Sequence, residues 1–256
     1  MKRFFYNYQT ITHFSKPVGG HYFLLRCMPC VNACQQVGKR ELFVHPAGSI
    51  IYGADAWKNP VQYGSRMEPH DSFVFVSSGE VRLTPYCFPE GTTADVFRVQ
   101  SRLTVLSATM RTFFAGMEEG TALQRALCLS QKIHAYMRYV PGKTRTETTA
   151  ADAFALQEGV CQDYAHILIS LCRASGIPAR YANGFIAGIG ATHAWVEVLD
   201  GGKWRGIDPT HNCLIEYGYI KVAHGRDAMD CPVNRGVFTG IAAQQTEIRV
   251  IVEEIG

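Results

Sequence analysis

The chain has 256 residues, 47% hydrophobic and 18% charged, with nine cysteines and a formal net charge of +3. That length allows one large domain or two modest ones around a sizeable buried core. The small, dispersed positive charge leaves no footprint for nucleic acid or an anionic membrane, and no run of about 18 apolar residues is present to span a bilayer. The opening MKRFFYNYQT starts basic and turns polar-aromatic, without the apolar stretch of a secretory signal. An odd cysteine count in such a chain reads as free thiols in a reducing cytoplasm, most of them small buried hydrophobes.

Residues up to about 97 read as β-rich. Short apolar runs at Tyr22–Leu25, Glu41–Val44, Ser49–Tyr52 and Phe73–Val76 are punctuated by Gly, Pro, Asn and Ser. Ser77-Ser78-Gly79-Glu80 reads as a turn, and Val81–Thr84 as a half-buried strand after it. Several short strands with frequent turns imply a sandwich or open barrel. Periodicity then changes. Leu103, Leu106, Met110, Phe113 and Phe114 recur at helical spacing. Thr121 is placed to cap a second helix carrying Leu123, Leu127, Ile133 and Met137, with Pro141-Gly142 closing it. No internal repeat, low-complexity segment or Pro/Ser linker is seen. The expected division is a β-rich domain over residues 1–100 and a second domain over 101–256.

Residues 144–212 carry the chemistry. Thr148 or Thr149 caps a short helix over Ala150–Leu156. The run CQDYAHILISLCRASG reads as one helix with Tyr164, Ala165, Leu168, Leu171 and Cys172 on a shared face, stopped by Gly176 with Pro178 just beyond. Strands follow over Ala179–Ile186, His193–Leu199 and Lys203–Asp208. Asp200-Gly201-Gly202 forms a hairpin turn between the last two. A final strand spans Thr246–Val252.

Cys161 opens the long helix directly after Gly159-Val160. A helix N-terminus offers unpaired N–H groups and partial positive charge. Both favour thiolate over thiol, and the same N–H groups can receive an oxyanion. The competing reading is a buried structural cysteine. His193 opens a strand; its imidazole could take a thiol proton and return it to a leaving amine, or simply sit at a surface strand end. Asp208 ends the antiparallel partner strand. The turn lies nearly midway between the two residues, which brings them together across the hairpin. A carboxylate there would hold the imidazole tautomer. The plain alternative for Asp208 is a turn residue before proline.

The segments GVCQDYAH, THAWVEV and GIDPTHN resemble the core of the transglutaminase-like superfamily, related in fold to papain-type cysteine proteases. The family order is Cys on a helix, His on a strand and Asp on the next strand, and Cys161, His193 and Asp208 match it one by one. Gly159 and Asp163 fit the family's helix start. The β-rich first part, HYFLLRCMP included, resembles the N-terminal domain of bacterial members. The resemblance implies an α+β fold: a β-sandwich-like N-terminal domain, then a papain-like core with a nucleophile helix packed on an antiparallel sheet. It implies acyl transfer through a Cys-His-Asp triad, with no metal or cofactor. Hydrolysis of peptide or side-chain amides in a peptide or protein substrate comes first. The alternatives are a cross-linking transglutaminase with an amine acceptor, a non-catalytic peptide-binding module and a thiolate-metal protein.

Other residues receive plainer readings. Cys27, Cys30 and Cys34 form C-x2-C-x3-C, with His21 and His45 nearby, but a zinc site needs a fourth ligand at diagnostic spacing. His166 lies five positions after Cys161 and reads as a satisfied core or interface histidine. Asp163 suits the first helical turn structurally. Trp195 is expected to pack the hairpin with one edge in the cleft. His211 follows Pro209 in a turn where it should not face Asp208. Gln157 is a candidate second oxyanion donor. Gly184, Gly188 and Gly190 shape a loop that could act as a lid, and a phosphate loop there lacks the strand-to-helix context.

Overall fold

The computed structural model describes residues 1–46, 48–89, 94–113 and 119–256. One very long strand organises the first part. β1 (Lys2–Leu25) is followed by β2 (Gln35–His45), β3 (Ile50–Ala54), β4 (Pro60–Arg66) and β5 (His70–Leu83). Along β1, alternate side chains Phe4, Tyr6, Tyr8, Thr10, Thr12 and Phe14 are buried, the period of a strand with one face on a core. Tyrosines and threonines carry much of that face, so a search for aliphatic runs misses it. β1 pairs with β5 from Lys2 to His13. Its register then shifts before Val18, and its last residues pair with β4. The result is a curled antiparallel sheet.

β5 runs straight through the expected turn at Ser77–Glu80. Ser77 is buried, with its hydroxyl 3.3 Å from that of Tyr6. Gly79 stands where β2 bulges between Val37 and Arg40; a Cβ there would lie 2.4 Å from the Lys39 carbonyl oxygen. The glycine therefore marks close backbone approach inside a strand.

The second part contains β6 (Cys87–Pro89), α1 (Ala108–Phe113), α2 (Ala122–Tyr136), β7 (Arg138–Tyr139), α3 (Ala150–Leu156), β8 (Glu158–Gly159) and α4 (Cys161–Ala174). It continues with β9 (Ala179–Ile186), β10 (Gly188–Gly190), β11 (His193–Asp200), β12 (Lys203–Asp208), β13 (Cys213–Leu214) and β14 (Tyr219–Gly225). Thr121 caps α2 in a reciprocal box with Gln124, and Thr149 caps α3 through the Asp152 N–H. α1 is shorter than its periodicity suggests. Leu103 is held outside it by its N–H on the Asp227 carboxylate, and Phe114 lies outside the described residues. The core sheet runs β13-β12-β11-β9-β14, with β6 on β12. α4 packs against β9 and β11, with Ile167, Leu168 and Leu171 inaccessible to solvent. Gly201 and Gly202 both have positive φ, as a two-residue hairpin of this hand requires.

The chain crosses the expected division at residue 100 in both directions. β6 leaves the first part to join the core sheet. β15 (Asn234–Thr239) and β16 (Gln244–Glu254) return to pair with β1. The final strand thus belongs to the N-terminal sheet, because β1 still has an open edge for it. Among the described residues, no helix is long and apolar enough to cross a membrane.

Candidate active site

Cys161 is the first residue of α4, and its approach is rigidly built. The Val160 N–H donates to Asp163 Oδ2 at 2.7 Å, and the Thr144 hydroxyl donates to the same oxygen at 2.7 Å. A Cβ on Gly159 would lie 2.6 Å from that carboxylate oxygen, so only glycine lets Asp163 fold back over the entry. The N–H groups of Cys161 and Gln162 belong to the first turn and have no intrahelical acceptor. Gln162 is tied down by donating its side-chain amide to Thr146 O at 3.1 Å.

His193 begins β11 and is nearly buried. Its Nε2 lies 2.7 Å from Asp208 Oδ2. An ionised carboxylate only accepts, so Nε2 carries a proton toward Asp208, and the other ring nitrogen is left for Cys161, which acts on His193 electrostatically and lines the same cleft. The β11–β12 ladder ends at Val196 opposite Ile207, so His193 and Asp208 meet diagonally across its open end. Burial pulls His193 toward the neutral form. Asp208 and Cys161 outweigh it and raise its pKa from 6.5 to about 9.

Asp208 is fully buried and five donors converge on it. Oδ1 accepts the N–H groups of Thr210 at 2.8 Å and His211 at 3.2 Å. Oδ2 accepts from His193 Nε2, His211 Nδ1 and the Tyr219 hydroxyl, each at 2.7 Å. Burial alone would raise the Asp208 pKa. The hydrogen bonds from His193, His211 and Tyr219 instead hold it well below the usual carboxylate range.

Residues 111–209 match the family model of the transglutaminase-like superfamily, and residues 5–82 match that of the bacterial transglutaminase-like N-terminal region. The core is transglutaminase-like. An uncharacterized protein of Mycobacterium leprae is 38% identical over 125 residues, covering 45% of this chain and 44% of that protein. An uncharacterized protein of Mycobacterium bovis is 36% identical over 126 residues, covering 43% of this chain and 40% of its own length. The chain thus spans less than half the length of these curated relatives. A crystal structure of a candidate cysteine protease from Cytophaga hutchinsonii superposes with a TM-score of 0.84 at 23% identity, covering 100% of this chain and 91% of that one. That likeness establishes the shared fold.

In this transglutaminase-like core, Cys161 and His193 open onto a cleft of about 600 Å³. Tyr181 and Asn183 on β9 line it, as do Met229, Asn234 and Arg235. Asn234 and Arg235 begin β15, paired to Leu25 and Leu24 of β1, so the N-terminal sheet supports one cleft wall. Buried His166 accepts the Ala228 N–H at 3.2 Å and anchors another stretch of wall. It is a core histidine kept neutral by burial, its pKa lowered to about 4. A second cavity of about 370 Å³ shares Thr192 and His193 with the first and is lined by Tyr139, Ile189 and His211.

Several readings change. His211 does face Asp208, because the turn after β12 folds back on the aspartate and brings residue i+3 onto it. The spacing Asp208-Pro209-Thr210-His211 was the available signal. Tyr219 was legible from no local pattern. Gln157 is exposed, and Trp195 is fully buried beside Tyr86; neither is among the described residues lining either cavity. Gly188–Gly190 form a strand on β16, so the loop is tethered at its middle rather than free. The Cys27 thiol donates to Gln62, while Cys34 bonds Asn32 at 3.1 Å. Among the described residues, His193, Asp208 and His211 bring metal-type donor atoms together. Their 2.7 Å contacts are hydrogen bonds, tighter than the roughly 3.3 Å separating two nitrogen or oxygen ligands on a tetrahedral ion.

Proposed function

We propose that the chain is a thiol-dependent acyl-transfer enzyme that hydrolyses peptide or side-chain amide bonds. Cys161 is the nucleophile, His193 the acid and base, and Asp208 the residue that orients His193. The observation carrying this reading is a cysteine on a helix N-terminus that shares a cleft with a histidine whose Nε2 rests on a buried carboxylate.

In the first half-reaction Cys161 Sγ, its proton already resting on His193, bonds to the amide carbonyl carbon. First-turn N–H groups of α4 face the developing oxyanion. The C–N bond breaks as His193 returns the proton to the departing amine, leaving a thioester. His193 then takes a proton from water as the water oxygen attacks that carbonyl. The acid leaves and the thiol is restored. A primary amine in place of water gives transamidation. The second cavity beyond His193 favours keeping that as a second reading. A peptide-binding module would have no need of the complete trio.

The deciding experiment is site-resolved alkylation with limiting iodoacetamide at mildly acidic pH, read by peptide mass spectrometry. Cys161 is expected to react ahead of the other eight cysteines, including exposed Cys128, and to lose that lead in His193→Ala. Equal reactivity of Cys161 and Cys128 would sink the thiol–imidazole reading. The raised His193 pKa adds a pH prediction. The proton needed by the leaving amine is held below about 9 and lost above it. Turnover of amides should therefore fall as pH rises through about 9, whereas an alkaline limb near 6.5 would mean that Asp208 does not act on His193. The sign for stability agrees. A folded-state pKa above the unfolded 6.5 contributes fully below 6.5, and that contribution disappears as pH rises through about 9.

A further inference from the structure

The turn after β12 is already closed by the backbone. The N–H groups of Thr210 and His211 both donate to Asp208 Oδ1, which is all that an Asp-led turn requires. The His211 ring does something the turn does not need. Its Nδ1 donates to the opposite oxygen, Oδ2, which is the one that receives His193. The His211 side chain is 51% exposed, so a single bond to a buried carboxylate holds a largely solvated ring in place. That ring stands 5.1 Å from the His193 ring.

We propose that His211 is a positioning residue that acts through Asp208, competing with His193 for one carboxylate oxygen and thereby setting how tightly His193 holds its proton. The inference rests on the reading of His193 as the acid and base. The physical reason is the finite charge on one oxygen. Each donor on Oδ2 draws on the same lone pairs, so a second imidazole weakens the bond to the first. Tyr219, from β14, donates to Oδ2 and stays neutral, since burial and then the Asp208 charge push its pKa up. Cys213, from β13, lies 3.8 Å from the Tyr219 oxygen. Cys161, from α4, and Asp208 each act on His193.

Competition predicts a direction that mere support does not. If His211 only propped up Asp208, losing it would loosen the carboxylate and lower the His193 midpoint. If it competes, losing it frees Oδ2 for His193 and raises the midpoint. The test is histidine NMR titration of His193 in the full chain, which needs no turnover, alongside the pH profile of kcat/KM. In His211→Phe, which keeps a ring but no donor, the His193 midpoint should rise by about half a pH unit or more. In His211→Asn, whose amide N–H takes the place of Nδ1–H, it should stay at the wild-type value. A midpoint that is unchanged or lowered in His211→Phe would overturn the proposal, as would a shift of equal size in His211→Asn. Because the titration is read without substrate, an enzyme silent on amides would refute the proposed activity and leave this inference to stand or fall separately.

Discussion

Cys161→Ala should leave a folded protein with essentially no turnover, a loss of at least about 10³-fold in kcat. The fold survives because the sulfur is not what holds the helix start. Asp163 does that, by accepting the Val160 N–H and the Thr144 hydroxyl. Cys161 is only partly buried, and alanine is the better helix former. Turnover goes because, in the proposed mechanism, the acyl intermediate forms on the Cys161 sulfur. Oxyanion donors and substrate binding remain in the variant and supply the residual rate. His193→Ala should lose nearly as much, since members of such a trio act as a unit. Activity would be read as amide cleavage against time, with circular dichroism and urea unfolding confirming the fold. A folded Cys161→Ala protein retaining a tenth or more of the wild-type rate would end the thioester mechanism.

The local parts of the site were legible, and the long-range parts were not. A glycine two residues before a cysteine at a helix start, and a two-glycine hairpin between His193 and Asp208, are short-range signals. Chain geometry alone turns them into a site. His211 meets Asp208 because an aspartate before proline also folds a turn back onto itself, a role that strand pairing alone leaves out. Ser77–Glu80 looked like a turn because polar and small residues usually make one. Here the serine meets Tyr6 and the glycine meets a bulge, and both partners are distant in sequence. The return of β16 to β1 depends on an open sheet edge, which no window along the chain reveals.

The same long-range dependence hides Glu197, which the sequence presents only as part of the THAWVEV strand. It is wholly inaccessible to solvent and sits between two cations. Arg180 Nε lies 2.5 Å from its Oε2, and Lys221 Nζ lies 2.7 and 2.8 Å from its two oxygens. The Tyr86 hydroxyl donates to Oε1 at 2.5 Å. Aromatic faces complete the enclosure, with the Arg180 guanidinium 4.0 Å from the Trp204 ring centre. Gln35 of β2 clasps the Lys221 backbone from both sides, its amide donating to Lys221 O at 2.7 Å and its carbonyl oxygen accepting the Lys221 N–H at 2.8 Å. The charge cluster therefore sits where the N-terminal sheet meets the core. Burial would raise the Glu197 pKa, but Arg180 and Lys221 bring it down to about 2.

Glu197→Gln keeps the shape and removes the charge, leaving two buried cations facing each other. Breaking one member of a buried ion network costs about 3–5 kcal/mol. In urea the unfolding midpoint should fall by roughly 1–2 M. Burial, then repulsion from Arg180, lowers the Lys221 pKa even in the intact protein. Without Glu197, Lys221 should shed its proton readily, so the loss of stability should be larger at pH 6 than at pH 9. In the wild type the carboxylate contributes above its ordinary pKa of 4.5, and that contribution is lost as pH falls through about 2. An unchanged urea midpoint, or a loss that grows with rising pH, would mean that the Glu197 charge does not help join the sheet to the core. A larger loss at pH 6 than at pH 9 would mean that a buried charge network, tied to β2 through Gln35, helps hold the N-terminal sheet to the core.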